Sequence, residues 1–170
     1  MTLGAHLRNH PKPVPDGVLL GIVTLVIPGF NDEENKLRQL TAFLVNLSPD
    51  IPWHVTAFHK DYKMTNPGNT TPEMLIRAAE IGKQEGLRFV YAGNLPGQVG
   101  DLENTRCADR QALLIKRFGY LIMDYHLNPE GCCPTCGLAI PGRWPTSFQG
   151  QLAAHPFLPS RDSSSDHSFC

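Results

Sequence analysis

Apolar residues first gather in a nearly unbroken run, VLLGIVTLVI at 18–27. So continuous and β-branched a run predicts a strand buried on both faces, as in a parallel sheet. Pro28-Gly29 ends it. The spacing then changes to threes and fours: Leu37, Leu40, Phe43, Leu44 and Leu47 fall on one face of a helix. Asn31 stands as its N-cap, with Glu34 in the capping-box position. PWHVTAF at 52–58 predicts a second strand, and Thr71-Pro72-Glu73 has the cap, proline and acid of a helix start. That helix runs through MLIRAAEIGKQE to Gly86, which suits the left-handed position after a helix. LRFVYAG at 87–93 is the third strand. Strands alternating with helices make βαβ units, hence a parallel sheet with right-handed crossovers.

The pattern breaks after Gly93. NLPGQVGDLEN is rich in turn formers, and ALLIKRFGYLIMDYHL predicts two short antiparallel strands around Arg117–Gly119. Leu114, Ile115, Tyr120 and Ile122 would supply the apolar packing of that hairpin. Past Trp144 the chain turns polar and Pro/Ser-rich, the composition of a disordered tail. The expected organisation is an irregular start (1–17), an α/β unit (18–96), a cysteine-bearing hairpin unit (97–145) and a tail (146–170).

Fifteen Lys+Arg stand against sixteen Asp+Glu, a balance that gives no electrostatic footprint for nucleic acid or a membrane surface. No apolar run reaches the roughly 20 residues of a membrane span, and the N-terminus lacks the apolar core of a signal peptide. Five cysteines, three within Cys132–Cys136, argue for metal chemistry in a reducing compartment over a disulfide framework. The expected location is the cytoplasm.

Cys133-Pro-Thr-Cys136-Gly is half of a metal knuckle. Its counterpart begins at Cys107, but Arg110 occupies the place of the partner cysteine. With a cysteine there, the unit would read C-x₂-C-x₂₂-C-x₂-C around a hairpin, a zinc-ribbon spacing. A guanidinium has no lone pair to offer a metal. Cys132 and His126 are the available substitutes; the alternatives are a three-thiolate site completed by water, or a ribbon without metal. Zinc or a similar ion in such a site is ordinarily structural.

VTLVIPGFND (23–32), DIPWHVTAFHKDYKMT (50–65), GLRFVYAGNLPG (86–97), ENTRC (103–107), LLIKRFGY (113–120) and CPTCGLAIPGRW (133–144) together resemble the radical S-adenosylmethionine enzymes of the AmmeMemoRadiSam system. These are related to pyruvate formate-lyase activating enzymes. The resemblance covers residues 18–144 and implies part of a TIM-like barrel followed by the family's cysteine ribbon. Family members hold a four-iron, four-sulfur cluster on a C-x₃-C-x₂-C loop and cleave S-adenosylmethionine to a 5′-deoxyadenosyl radical. This sequence has no C-x₃-C-x₂-C. It therefore resembles the C-terminal half of such an enzyme, and the chain alone is expected to be inactive in radical chemistry.

By the same resemblance, His59 would contact the cofactor's ribose, Ile27 and Pro28 would wall its adenine, and residues Lys60 to Lys63 would line the mouth. The metal set would be Cys107, Cys133 and Cys136, with Cys132 as a further candidate. His54 and His59 are five apart in an extended segment and face opposite ways, which argues against a shared metal. Two functions compete. One is an enzyme part that joins a separately encoded N-terminal half, with Memo-like and AMMECR-like proteins as associates. The other is a metal-ribbon interaction module without catalysis.

Overall fold

Three parallel strands and two helices alternate through the first part of the chain: β1 (Ile22–Val26), α1 (Glu34–Leu47), β2 (Trp53–Ala57), α2 (Pro72–Glu85) and β3 (Val90–Gly93). The computed structural model describes residues 19–144. The expected irregular start and polar tail lie outside that range. The sheet order is β1-β2-β3, with Ile22 opposite Trp53 and Trp53 opposite Val90. Period-two alternation puts Val26, Trp53, Val55, Ala57, Val90 and Ala92 on one face. There they form one core with Leu37 and Leu44 of α1 and Leu75, Ala78 and Ile81 of α2. Both helices thus cover the same face.

The second helix begins as its sequence requires. Thr71 caps it, its hydroxyl accepting from the Met74 N–H at 3.4 Å; Pro72 follows, and Gly86 closes it at φ 111°. The first does not. Its cap is Glu33 with no side-chain bond, while Asn31 turns back to the end of β1. There Asn31 Oδ1 accepts from the Ile27 N–H (2.7 Å) and its amide donates to the Leu25 carbonyl (2.9 Å). On α1 the buried polar residue is Thr41, whose hydroxyl donates to the Leu37 carbonyl at 2.8 Å, and Phe43 is 60% exposed. That internal bond lets Thr41 take the inward place.

Strand β1 is not buried on both faces. Val23 and Leu25 point away from the helices and are 67% and 43% exposed. The strand covered on both sides is β3. Its neighbour Phe89, together with Tyr91, faces a second core that holds Cys107, Leu114, Ile115, Leu127, Cys133 and Ile140. This core belongs to an antiparallel sheet, β4 (Thr105–Arg106), β5 (Leu113–Phe118) and β6 (Leu121–Tyr125), in that order. A two-residue turn joins β5 to β6, with Gly119 at φ 57°. Tyr120, on that turn, is 96% exposed and packs no core. A short 3₁₀ turn (Gly100–Glu103) precedes β4, and the buried Glu103 carboxylate accepts from the Gly97 N–H and, at 2.6 Å, from the Gly119 N–H. One side chain thereby ties the linker after β3 to the hairpin turn.

Candidate metal centre

Strand β4 ends at Arg106 and delivers Cys107 into a tight turn. The Gln111 N–H donates to the Cys107 carbonyl (2.8 Å), and the Cys107 N–H donates to the Ala112 carbonyl (2.9 Å). The same two bonds recur twenty-six positions later. The Gly137 N–H donates to the Cys133 carbonyl (2.8 Å) and the Cys133 N–H to the Leu138 carbonyl (2.8 Å). The fifth residue of each turn has positive φ, 56° at Gln111 and 76° at Gly137. Gln111 holds this left-handed conformation at a cost of roughly 1–2 kcal/mol that glycine avoids. The backbone has therefore built the same knuckle twice, and Arg110 stands where the second carries Cys136.

The thiols of Cys107, Cys133 and Cys136 lie within 4.8 Å of one another, Cys107 and Cys136 at 3.5 Å. A tetrahedral zinc with bonds of about 2.3 Å needs sulfurs about 3.8 Å apart, so the three fit such an ion. Cys107 and Cys133 are buried and Cys136 is exposed, which turns the fourth corner toward solvent. Neither substitute donor comes near. The Cys132 thiol turns to the Glu130 carbonyl at 3.8 Å, and the exposed His126 ring pairs with Asp124 at 2.9 Å. Among the described residues the group has three members.

Ionisation favours capture of a cation. Burial raises the Cys133 pKa, but the Thr135 and Cys136 amides and the neighbouring Cys107 and Cys136 thiols outweigh it and bring the thiol down to about 7. At Cys136 the Leu138 amide works downward, yet burial and the two adjacent sulfurs leave its pKa raised. One thiolate is thus available near neutral pH, with the other protons displaced as a metal binds. Arg88 braces the first turn, reaching Asp50 at 2.7 Å and Asp109 at 2.6 Å. Trp144 braces the second: its indole N–H donates to the Ile140 carbonyl (2.9 Å) and its ring lies where a side chain at Gly131 would stand.

The residues singled out for a cofactor lie elsewhere, at the carboxyl ends of the parallel strands. Ile27 and Pro28 are half-buried beyond β1, and His59 is exposed beyond β2. Thr70, which the sequence pattern did not mark, organises this end. Its hydroxyl donates to the Val26 carbonyl (2.5 Å) and accepts from the Phe58 N–H (3.0 Å), and its own N–H returns to the Phe58 carbonyl (3.0 Å). Asn94 adds a bond to the Ala57 carbonyl at 3.3 Å. His54 faces the opposite side of β2 from the helices and stacks on Tyr91, with ring centroids 4.9 Å apart.

These features define an α/β chain with a three-stranded parallel sheet, a second antiparallel sheet and a cysteine cluster able to hold a metal ion. No helix among the described residues is long and apolar enough to cross a membrane. Over 123 residues, 71% of its length, the chain is 36% identical to the uncharacterized protein MJ0808 of Methanocaldococcus jannaschii, of which it spans 36%. No family model matches the chain. No solved structure matches it either.

Proposed function

We propose that the chain supplies the last βα units of a radical S-adenosylmethionine enzyme of the AmmeMemoRadiSam kind, followed by a metal-bearing cysteine ribbon. The observation that carries this reading is the placement of both helices on one face of the sheet, with the other face of β1 open at Val23 and Leu25. A barrel keeps its helices outside and curls its strands around an interior, whereas a doubly wound sheet carries helices on both faces. The outer edge of β1 would then receive the preceding strand. The chain spans about a third of the length of that archaeal relative.

In this reading Ile27 and Pro28 wall the adenine, and His59 reaches the ribose, at the carboxyl ends of adjacent strands. S-adenosylmethionine bound to a reduced iron–sulfur cluster would supply the radical chemistry. The cysteines present do not fit that cluster: no C-x₃-C-x₂-C occurs, and Cys107, Cys133 and Cys136 converge from two knuckles. A separately supplied N-terminal half would bring it, Memo-like and AMMECR-like proteins would be associates, and the chain alone would be inactive. The nucleotide sequence upstream of the Met1 codon, read in three frames, tests the idea. A frame encoding the missing loop and strands calls for co-expression, with 5′-deoxyadenosine release under anaerobic reducing conditions as readout. No such frame, or no product from the pair, would sink it.

The cysteine cluster favours a second reading, a metal-ribbon interaction module without catalysis. A monomer that binds one zinc and unfolds cooperatively without a partner would favour the module. An aggregating chain that orders only with its complement would favour the enzyme part.

A further inference from the structure

The side of β2–β3 turned away from the helices and the β5–β6 hairpin border a cavity of about 510 Å³. The cation on its wall is Arg117, which makes no ion pair among the described residues. Nη1 of the half-buried guanidinium donates to the Thr105 hydroxyl (2.6 Å) and more weakly to the Glu103 carbonyl (3.4 Å). Nε and Nη2, which form the flat edge that grips a planar anion, have no partner among the described residues, and no carboxylate there pairs with Arg117. Every polar neighbour is committed or neutral. Both oxygens of Glu103 accept from the Gly97 and Gly119 amides. The Tyr91 phenol accepts from Thr105 at 3.3 Å, and burial raises its pKa, so it remains a phenol. Burial, then the charge of Arg117, lowers the pKa of His54 and favours its neutral ring. The remaining walls include Leu20, Ile122, Pro141 and Trp144.

We propose that this cavity binds a small organic carboxylate, its anionic end held on the Nε–Nη2 edge of Arg117 and its apolar body against Leu20, Ile122 and Trp144. A partly desolvated cation without a counter-ion is a less favourable element than one that a ligand completes. One guanidinium with no second cation beside it balances one negative charge, which selects a carboxylate over a phosphate. Apolar walls with a few placed polar groups are the usual make-up of a small-molecule site. The inference needs neither S-adenosylmethionine nor a bound metal, so its failure would leave the proposed function untouched.

Calorimetric titration of the full chain with phenylacetate, its neutral analogue phenylacetamide, and inorganic phosphate tests the site. Saturable binding of phenylacetate is expected, weaker by roughly tenfold or more for the amide and for Arg117→Gln, the loss that removal of a charge-assisted pair brings. Arg117→Lys keeps the charge without the fork, so it should also weaken binding. If Arg117→Gln fails to fold, Arg117→Lys and the cavity-filling Ile122→Trp carry the test, the latter abolishing binding with Arg117 intact. Equal binding of the amide, binding indifferent to these variants, or no saturable binding overturns the proposal. Phosphate binding tighter than phenylacetate would overturn the carboxylate assignment.

Discussion

Gly82 of α2 rests directly on the indole of Trp53, so closely that a Cβ at Gly82 would lie 2.6 Å from Cζ3. Trp53 is fully buried and its indole N–H donates to the Thr24 hydroxyl at 2.8 Å, which fixes the ring in place. In an exposed helix, glycine to alanine stabilises by about 1 kcal/mol. Here the sign should reverse. Gly82→Ala is expected to cost about 1–3 kcal/mol through overpacking, read as a lower urea midpoint. Trp53→Leu in the same chain should relieve part of that cost, and additive effects in the double mutant would refute the contact.

Arg110→Cys completes the second pair of thiolates without altering the backbone turn. Zinc or cobalt affinity should rise roughly tenfold or more, equivalent to at least about 1.4 kcal/mol, and cobalt should give the absorption of a four-thiolate site. Cys133→Ser should abolish binding, and Cys132→Ser should leave it intact because that thiol faces Glu130. A metal lost with Cys132 and retained without Cys133 would overturn the assignment. Chelation should lower the stability of the unmutated chain, since an ion that binds only the folded site adds to folding.

His54 gives the protein a pH dependence whose direction follows from its lowered pKa. Above its ordinary value of about 6.5 the ring is neutral in both states and contributes nothing. Below that value the unfolded chain takes up a proton that the folded chain resists, so stability falls until the folded pKa is reached. Urea midpoints measured from about pH 7.5 down to about pH 5.5 should show the decline, and His54→Gln should lessen it. Arg117→Gln should lessen it too, because that charge is the second cause of the shift. An unchanged slope in His54→Gln would show that other groups carry the effect.

Glu103→Gln keeps the shape of the side chain and removes its charge. The amide can accept from one of Gly97 and Gly119 but presents N–H to the other, a donor against a donor. A loss of about 1.5–3 kcal/mol is expected, the range for hydrogen bonds to a charged group. Amide exchange at Gly97 and Gly119 should speed up more than at Val55. Equal acceleration at all three would mean that the carboxylate is not a local clamp.

Local chemistry was legible where it acts over a few residues. Thr71, Pro72 and Gly86 mark the limits of α2, and the alternation in 52–58 marks β2. Cys107 and Cys133 were legible as partners because two turns of one spacing flank a hairpin. What the sequence hid depends on distant packing. Val23 and Leu25 read like Val55, yet the second sheet reaches β3 and leaves β1 uncovered. Asn31 reads as a cap, but the strand end it serves lies behind it. Nor does any local pattern mark Arg117, whose significance arises when the β5–β6 hairpin meets His54 and Tyr91 and no carboxylate pairs with it. Gln111 conceals its turn in another way, since glycine is the residue that positive φ leads one to look for.

Thr70 closes the neck of the segment that leaves the sheet after Phe58, and Lys60 reinforces it, its N–H donating to the Asn69 side chain at 2.9 Å. Residues 59–69 are consequently an excursion whose two ends are already joined. The sheet experiences only the stitch at its base, so the excursion can change its composition or length with little penalty, about 0.6 kcal/mol for each doubling of a flexible loop. In a lineage of such proteins this would be the place where new specificity can be tried while the framework stays as it is.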